Sequence, residues 1–356
     1  MLLRDLNIEA YRGVRTLVLP ELGRFNVLVG ANNSGKTSVL EAAALLCRPS
    51  DHAQWSRVVQ HRDFLSRRVP IESLWELFPN AMPLSFEDGL PLCNPIDIVG
   101  LFPEGHRGFR AQAVAEDSGE LLPNGAPDIR IQVRATMTDL RPGSPSGFGL
   151  RFASHRPFPR LPENGLQSRM TRSILVSPSA RCSSTWLVDL LGTTIEQGRK
   201  TDAIDMLRLF DNQIEGIELV QRSTVGRILV QHKTRGMPAL ATFGQGMQAA
   251  LALALGVSKA RGGVLLLDEL EVGIHNSLLV DVLDKLMLCA EASNVQVICT
   301  THSLETVDAL IEAAERRSCL PSLVGYWLRR TATEHSARRY PGDKLRSLRE
   351  GGIDIR

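Results

Sequence analysis

The fold is decided by the stretch Gly30–Thr37, which reads GANNSGKT and fits the phosphate-binding pattern G-x-x-x-x-G-K-[ST]. An apolar strand is predicted just before it, over Phe25–Val29. A helix rich in alanine and leucine is predicted just after it, ending near Cys47 and before Pro49. A strand, a glycine-rich loop and a helix in this order are the context that the pattern requires. That context disfavours the alternative of an incidental glycine-rich turn.

Each part of this loop suits the binding of a triphosphate. Glycines let the backbone curl so that successive N–H groups face phosphate oxygens, and the new helix presents its positive end to the same anion. Lys36 supplies a compact positive charge for the β- and γ-phosphates, and the Thr37 hydroxyl can ligate Mg²⁺. The predicted nucleotide-binding residues of the loop are Asn32, Asn33, Ser34, Gly35, Lys36, Thr37 and Ser38.

A second candidate element is the run Val264–Leu267, whose four apolar residues are typical of a strand buried on both faces of a parallel sheet. The run ends in Asp268 and Glu269. We expect Asp268 to hold the hydration shell of Mg²⁺ and Glu269 to polarise the attacking water as a general base. A strand ending in two acidic residues is weak evidence alone and becomes strong beside a phosphate loop. A solvated strand-end carboxylate is the alternative for Glu269.

Composition limits the class of protein. Hydrophobic residues make up 43% and charged residues 22% of the 356 residues, which excludes a disordered chain or a heptad fibre. The net charge is only +2, so contact with nucleic acid would need a local basic patch. The six cysteines include no C-x-x-C pair, which argues against a zinc site or a disulfide framework and predicts reduced thiols. Without an apolar signal core or a membrane-spanning stretch, we expect a soluble cytoplasmic protein with no membrane partner.

The distribution of prolines divides the chain. Thirteen of the nineteen prolines fall between positions 70 and 162, which marks that segment as different in character. We predict an N-terminal part of the main domain over residues 1–50 and a proline-rich, irregular insertion packed on it over residues 51–169. A C-terminal part of the main domain is predicted over residues 170–356.

Within the insertion, one strand is predicted, at Asp128–Arg134. A flexible linker is the alternative, which Trp55 and Trp75 disfavour because large aromatic side chains need a core. Regular periodicity returns after Ser173, with a helix predicted over Gly246–Lys259. Further strands are predicted at Ile174–Val176, Ile217–Val220, Arg227–Gln231, Val295–Thr300, Leu323–Leu328 and Ala337–Tyr340.

Taken together, these parts resemble the ABC-type ATPase heads of SMC proteins and RecF. They are most similar to compact bacterial ATPases related to the OLD (overcoming lysogenisation defect) family. The likeness is carried by Ile8–Gly13, Asn26–Gly30, Leu266–His275 and Thr300–Ser303. The resemblance implies an α/β P-loop NTPase of the ABC/SMC-head type, with a mixed central sheet flanked by helices, an antiparallel β lobe and the irregular insertion. It also implies ATP and Mg²⁺ as ligands.

The same resemblance implies roles for two further residues. His302 occupies the position of the family histidine that contacts the γ-phosphate, and Arg12 matches a family arginine near the nucleotide. A structural histidine and a surface strand arginine are the respective alternatives. Such heads also place a glutamine near the nucleotide, and Gln54 and Gln132 are both candidates for it.

ABC-type heads pair around ATP, and a signature loop of each head caps the γ-phosphate bound by the other. In this chain a loop about twenty residues before Asp268 matches that signature loop. It reads FGQGMQ, at Phe243–Gln248, and a glycine-rich turn before a helix suits an anion. The resemblance therefore implies nucleotide contacts by Gly244 and Gly246 across a dimer. The usual serine is replaced by Gly244, and a simple helix-capping turn is the alternative. A second departure is Leu270, where the family has proline.

Other family parts are missing. The chain has no long heptad stretch for an SMC arm, and the residues after His302 contain no Asp-x-Asp of a TOPRIM nuclease. The tail over residues 329–356 holds eight Lys/Arg against four Asp/Glu, which is more typical of a solvated face than of a DNA contact.

We therefore expect a Mg²⁺-dependent ATPase that pairs head to head around ATP. The resemblance points to an ATPase or sensor that works with a separate effector protein in bacterial anti-phage defence. One alternative is an ATP-gated scaffold with little turnover that sequesters a toxic effector, and another is a RecF-like DNA repair clamp.

Overall fold

Helices and strands alternate along much of the chain, as an α/β fold requires. The computed structural model describes residues 3–62, 71–81, 91–121, 127–139, 146–153, 170–181, 183–222, 225–331 and 334–356. Its strands are β1 (Asp5–Tyr11), β2 (Val14–Leu19), β3 (Phe25–Val29), β4 (Ile96–Phe102), β5 (Gly105–Leu121), β6 (Pro127–Asp139), β7 (Ser146–Ala153), β8 (Ser173–Val176), β9 (Ile214–Arg222), β10 (Val225–His232), β11 (Val264–Leu267), β12 (Gln296–Thr300), β13 (Leu323–Arg330) and β14 (His335–Pro341). Its helices are α1 (Lys36–Cys47), α2 (His52–Arg62), α3 (Ile71–Trp75), α4 (Pro178–Arg181), α5 (Ser184–Glu196), α6 (Lys200–Arg208), α7 (Gln245–Lys259), α8 (Asn276–Ala292), α9 (Leu304–Arg316) and α10 (Gly342–Glu350).

The central sheet has the order β14-β13-β3-β12-β11-β8. Five of these strands run parallel, and β14 pairs antiparallel with β13 at one edge. The carboxyl ends of parallel strands meet at one edge of a sheet, where ligands bind in α/β folds. The loops after β3, β11 and β12 therefore emerge side by side, which brings Gly30, Asp268 and Thr301 to the same edge.

Both faces of the central sheet are buried, which explains the uninterrupted apolar runs. Val27 and Val29 of β3 belong to a core formed with the helices of the C-terminal part, whereas Leu28 between them points into the opposite core. Leu266 of β11 faces that opposite core in the same way. Since full burial of such a side chain contributes about 1.5–3 kcal/mol, this sheet is a rigid platform for the loops at its edge.

A second sheet, of order β2-β1-β4-β5-β6-β7, is antiparallel and forms the expected β lobe. The expectation that residues 51–169 are irregular with one strand was wrong, because α2, α3 and β4–β7 lie there. The insertion joins the N-terminal part directly, since Ile98 of β4 pairs with Ile8 of β1. On β5 the core-facing positions include Ala111, Ala113 and Ala115, whose small side chains give little hydrophobic signal.

The aromatic residues of the insertion are packed, as their size predicted. Trp55 of α2 is fully buried, and its ring lies 6.2 Å from Phe78 and 6.1 Å from Phe109. A third neighbour is Phe152 of β7, at 6.2 Å. A flexible linker does not form such a cluster, so α2 is fixed against the lobe.

Several local predictions are confirmed. The strands Phe25–Val29 and Val264–Leu267 have the predicted bounds, and α1 ends at Cys47. Five cysteines (Cys47, Cys93, Cys289, Cys299 and Cys319) are free and buried, and Cys182 lies outside the described residues. Across the described part of the chain, no helix has the length and apolar character needed to cross a membrane.

Candidate functional site

The loop after β3 adopts a backbone that glycine makes possible. Gly30 has φ +147° and Gly35 has φ +96°, and Gly35 caps the start of α1. A methyl group at Gly30 would overlap the carbonyl oxygen of Leu328. Asn33 also has a positive φ, of 62°, which asparagine tolerates better than most residues. The loop is therefore a compact curl that opens directly into a helix N-terminus.

Lys36, the first residue of α1, folds back over this curl. Its Nζ donates to the carbonyl oxygens of Gly30, at 2.7 Å, and Ala31, at 3.0 Å. Burial lowers the pKa of Lys36, and the neighbouring carboxylates of Asp268 and Glu269 counteract part of that effect. The ammonium group is thus held at the centre of the loop, beside the positive end of α1.

Asp268 is brought against the loop, directly after β11. The Thr37 hydroxyl lies 3.1 Å from Oδ2 of Asp268, and the Thr300 hydroxyl donates to Oδ1 at 2.6 Å. The third partner, which sequence reasoning missed, is His61 of α2, whose Nε2 lies 3.0 Å from Oδ2. Burial raises the pKa of Asp268, but the hydrogen bonds and charge of these partners outweigh it and lower the pKa.

The oxygens of Thr37 and Asp268 suit a hard cation. Mg²⁺ prefers oxygen ligands and usually binds through one or two protein groups together with substrate phosphates. Within the described ranges, no group of three or more His, Cys, Asp or Glu side chains could hold a metal ion. The neighbouring oxygens of Thr37 and Asp268 fit Mg²⁺ bound together with a nucleotide.

Glu269 lies in an unusual turn. Its φ is +48°, and its amide donates to the Thr300 hydroxyl at 2.8 Å. Arg181 of α4, also missed from sequence, is buried beneath this turn and donates to the carbonyl oxygens of Asp268, Glu269 (3.0 Å), Leu270 (3.1 Å) and Val272 (3.3 Å). These bonds hold the backbone of the turn that carries Glu269.

A cavity of about 510 Å³ covers the loop. Of the residues predicted to bind nucleotide or act in catalysis, it is lined by Arg12, Asn32, Asn33, Ser34, Gly35, Lys36, Thr37, Ser38 and His302. Its further walls include Arg62, Arg330 and His335, which the sequence did not single out. His302 is exposed at the cavity, and its amide donates to Oε1 of Glu271 at 3.1 Å. The lining is strongly basic, which suits a polyphosphate.

A buried carboxylate holds two of these basic residues. Glu41 of α1 is fully buried and accepts from Arg12 at 2.8 Å and from Arg62 at 2.7 Å. The Tyr11 hydroxyl donates to the same carboxylate at 3.1 Å. Arg62 also donates to the Ser38 hydroxyl at 3.0 Å. No local motif marks Glu41 or Arg62, because their partners come from separate elements.

Gly244 and Gly246 do not line this cavity. Gly244 caps α7 with φ −60° and ψ 159°, and the site where a side chain would begin is open, with no atom of the described residues within 4 Å. A methyl group at Gly246 would lie 2.9 Å from the carbonyl oxygen of Gly273, so a close approach to the turn after Glu269 requires this glycine.

Neither candidate glutamine reaches the loop in the described part of the chain. Gln54 is fully buried in α2 and accepts from Arg57 at 3.4 Å, and its Nε2 has no hydrogen-bond partner. Gln132 lies on β6 opposite Arg151. His61, on the same helix as Gln54, is instead the residue of the insertion that contacts Asp268.

The whole fold is similar to solved SMC heads. A crystal structure of an SMC head bound to the C-winged helix domain of ScpA matches with a TM-score of 0.54 and 12% identity, over 98% of this chain and 100% of that chain. An SMC head domain with an extended coiled coil, bound to the C-terminal domain of ScpA derived from Pyrococcus furiosus, matches with a TM-score of 0.50 and 13% identity, over 98% and 99%.

Fold and phosphate loop together define the class: a P-loop NTPase fold of the ABC/SMC-head type. The mixed α/β fold predicted from the sequence is thereby confirmed. Within that class, the chain belongs to the family described as "AAA domain, putative AbiEii toxin, Type IV TA system". The family matches residues 25–90 and 154–308, which make up more than half of the chain.

Two kinds of relatives share parts of the sequence. The uncharacterized protein MJECL11 of Methanocaldococcus jannaschii is 35% identical over 115 residues, which is 32% of this chain and 99% of that protein. The DNA replication and repair protein RecF of Acinetobacter baumannii is 56% identical over 46 residues, 13% of each chain. The likeness to RecF is therefore local.

Proposed function

We propose that this protein is a Mg²⁺-dependent ATPase that binds ATP on the loop Gly30–Ser38 and dimerises head to head around it. The proposal depends most on one observation, the distance of 3.1 Å between the Thr37 hydroxyl and the Asp268 carboxylate. This contact brings the phosphate loop and the end of the acidic strand close enough to bind one cation together. The basic lining of the cavity over the loop supports the same ligand.

Each residue has a role in this proposal. Lys36 and the loop amides hold the β- and γ-phosphates, and Thr37 and Asp268 hold Mg²⁺, which neutralises developing charge on the phosphates. Glu269 accepts a proton from the attacking water, and His302 contacts the γ-phosphate. Arg12 adds positive charge at the cavity wall. The nucleoside would share the same cavity, whose lining also includes Arg330 and His335.

In the proposed dimer, the partner chain contributes the signature turn, which the cavity of a single chain lacks. The turn with Gly244 and Gly246 begins α7, whose N-terminal amides suit an anion, yet it lies outside the cavity of its own chain. In the proposed dimer it caps the γ-phosphate bound by the partner. Hydrolysis removes those contacts and releases the pair.

The cellular role we propose is that of ATPase or sensor in a bacterial anti-phage or toxin–effector system, with a separate effector protein. The family description, which names a putative toxin, supports this direction. One alternative is an ATP-gated scaffold with little turnover, which the glycine at position 244 favours. Another is a DNA repair clamp, which the local likeness to RecF favours.

The central test compares wild type, Glu269→Gln and Lys36→Ala by light scattering and phosphate release. With ATP and Mg²⁺, we expect wild type to turn over, Glu269→Gln to accumulate as dimers without turnover, and Lys36→Ala to stay monomeric and inactive. If ATP changes neither the mass nor the phosphate release of wild type, the proposal is wrong.

The alternatives give different results in the same assay. The scaffold predicts tight ATP binding with negligible phosphate release by wild type. The repair clamp predicts DNA binding that weakens steeply with salt and turnover that DNA stimulates. DNA binding without salt dependence, or none at all, removes the clamp.

A further inference from the structure

His61 is an unexpected neighbour of the acidic strand. It lies in the last turn of α2, within the segment 51–169, yet its Nε2 is 3.0 Å from Oδ2 of Asp268. Its side chain is only 3% exposed, so the contact is sheltered from solvent. Hydrogen bonds of this kind, between a sheltered imidazole and a carboxylate, fix the orientation of both groups.

The Asp268 carboxylate is held from three directions. Thr300, at the end of β12, donates to Oδ1, and Thr37, at the start of α1, lies within 3.2 Å of both oxygens. These two residues belong to the sheet and the phosphate loop. His61 is the one contributor from the insertion among the hydrogen bonds of Asp268 in the described chain.

The position of His61 depends on the lobe. Trp55, six residues earlier on α2, is buried in the aromatic cluster with Phe109 and Phe152 of the antiparallel sheet. Its indole N–H donates to the carbonyl oxygen of Pro49 at 2.8 Å. A side chain held this way fixes the helix, so the lobe determines where the His61 ring can lie.

We propose that His61 is a positioning residue for the cation site, which the insertion supplies. With Nε2 as the donor, His61 holds the Asp268 carboxylate in the orientation that binds the hydrated cation. Groups that orient a metal ligand in this way typically change metal affinity 10- to 100-fold when they are removed. The inference rests on the proposed function, because it needs the cation to bind at Asp268.

The test is a titration of Mg²⁺ into protein with a fluorescent, nonhydrolysable ATP analogue, followed by the fluorescence of the analogue. For His61→Ala we expect the Mg²⁺ concentration at half-saturation to rise by about 10-fold or more. Binding of the analogue in EDTA should stay unchanged, because His61 does not line the cavity. The matched control is Gln60→Ala, on the same helix, which should behave as wild type.

Two conservative variants distinguish positioning from simple packing. In His61→Gln the amide nitrogen can occupy the place of Nε2, so we expect Mg²⁺ affinity within about threefold of wild type. In His61→Asn the side chain is too short for its amide nitrogen to reach Asp268, so we expect the same loss of Mg²⁺ affinity as with alanine. If circular dichroism shows that His61→Ala does not fold, the comparison of the Gln and Asn variants still tests whether His61 positions Asp268.

Three outcomes overturn the inference. They are an unchanged Mg²⁺ requirement in His61→Ala, a lower requirement, or equal behaviour of the Gln and Asn variants. A failure of the proposed function looks different, because wild type itself would then bind the analogue without any dependence on Mg²⁺.

Discussion

At the scale of single residues, Arg181 holds the turn after β11 through its guanidinium group. Its guanidinium is buried and donates to four backbone carbonyl oxygens, those of Asp268, Glu269, Leu270 and Val272. Burial lowers the pKa of Arg181 to about 10, although nearby carboxylates raise it, so the side chain stays charged at neutral pH. The left-handed backbone of Glu269 is thus held by a charge rather than by a regular element.

Replacing this residue by Arg181→Met should remove the side-chain donor from all four carbonyls, of which that of Glu269 keeps the Val272 amide at 3.0 Å. We expect a loss of about 3 kcal/mol in the free energy of unfolding, measured by urea denaturation. ATP turnover should fall as well, because the backbone that carries Glu269 loses the bonds that hold it. The exposed Arg172, mutated to Met, is the control and should change stability by less than about 0.5 kcal/mol. Equal stability of the two variants would contradict the role of Arg181.

His52 provides a second prediction at this scale. Its ring lies 5.4 Å from that of Phe152, and its Nε2 has no hydrogen-bond partner among the residues that the structure describes. Burial lowers the pKa of His52 below 6.5, more than the nearby Asp51 raises it. Below that pH the unfolded chain binds the proton more readily than the folded one, so stability must fall as the pH falls.

The slope of the unfolding free energy against pH measures this effect. Between pH 7 and pH 5, one such group contributes at most about 1.4 kcal/mol per pH unit. His52→Leu should flatten the slope, whereas the exposed His106→Gln should not. A residual slope should remain, because burial also lowers the pKa of His335. An unchanged slope in His52→Leu would show that His52 is protonated equally in both states.

At the scale of elements, Glu41 connects the turn after β1 with α1 and α2. It is fully buried and paired with Arg12 and Arg62, whose side chains are 13% and 44% exposed. Burial and the Glu41 charge raise the pKa of Tyr11, whose hydroxyl donates to the same carboxylate. The three elements are therefore connected by one carboxylate beside the cavity.

Substitutions in this network should differ in a fixed order. We expect Glu41→Gln to cost about 2 kcal/mol of unfolding free energy, because two guanidinium groups lose their anion. Arg12→Met should lower the unfolding free energy by less, and Arg62→Met by the least. The Arg62 side chain is the more exposed of the two arginines, and Glu41 keeps its other partners when either one is removed. Chemical denaturation checks the order, and a larger loss for Arg62→Met than for Glu41→Gln would contradict it.

How much the sequence predicts depends on how local the signal is. The strands Phe25–Val29 and Val264–Leu267 are uniformly apolar because both of their faces are buried, so their bounds could be predicted. Three strands of residues 91–153 were not predicted: the core face of β5 carries the small Ala111, Ala113 and Ala115, and prolines are frequent between the strands. For the candidate site, the phosphate loop is one contiguous motif, whereas Asp268 lies 207 residues from His61, and no local pattern can pair them.

At the scale of the whole molecule, the proposed dimer interface lacks one side chain that the family has, the serine of the signature loop. In the proposed dimer, Gly244 stands in the place of the signature serine. It is the N-cap of α7 and makes no side-chain cap hydrogen bond. Serine is among the preferred residues at an N-cap, and the extended backbone there suits it. The space is open, since a β-carbon at Gly244 would meet no atom within 4 Å in the described part of the chain.

Gly244→Ser should therefore fold normally, and we expect it to stabilise the chain by a few tenths of a kcal/mol. If this turn contacts the partner's γ-phosphate, the added hydroxyl donates to a charged group, and the ATP-dependent dimer should be about tenfold tighter by light scattering. The control Gly244→Ala restricts the backbone equally but adds no donor, so its dimer should resemble wild type. Equal dimerisation of the Ser and Ala variants, with folding intact, would mean that position 244 does not face the partner's nucleotide, because the two differ only in the hydroxyl.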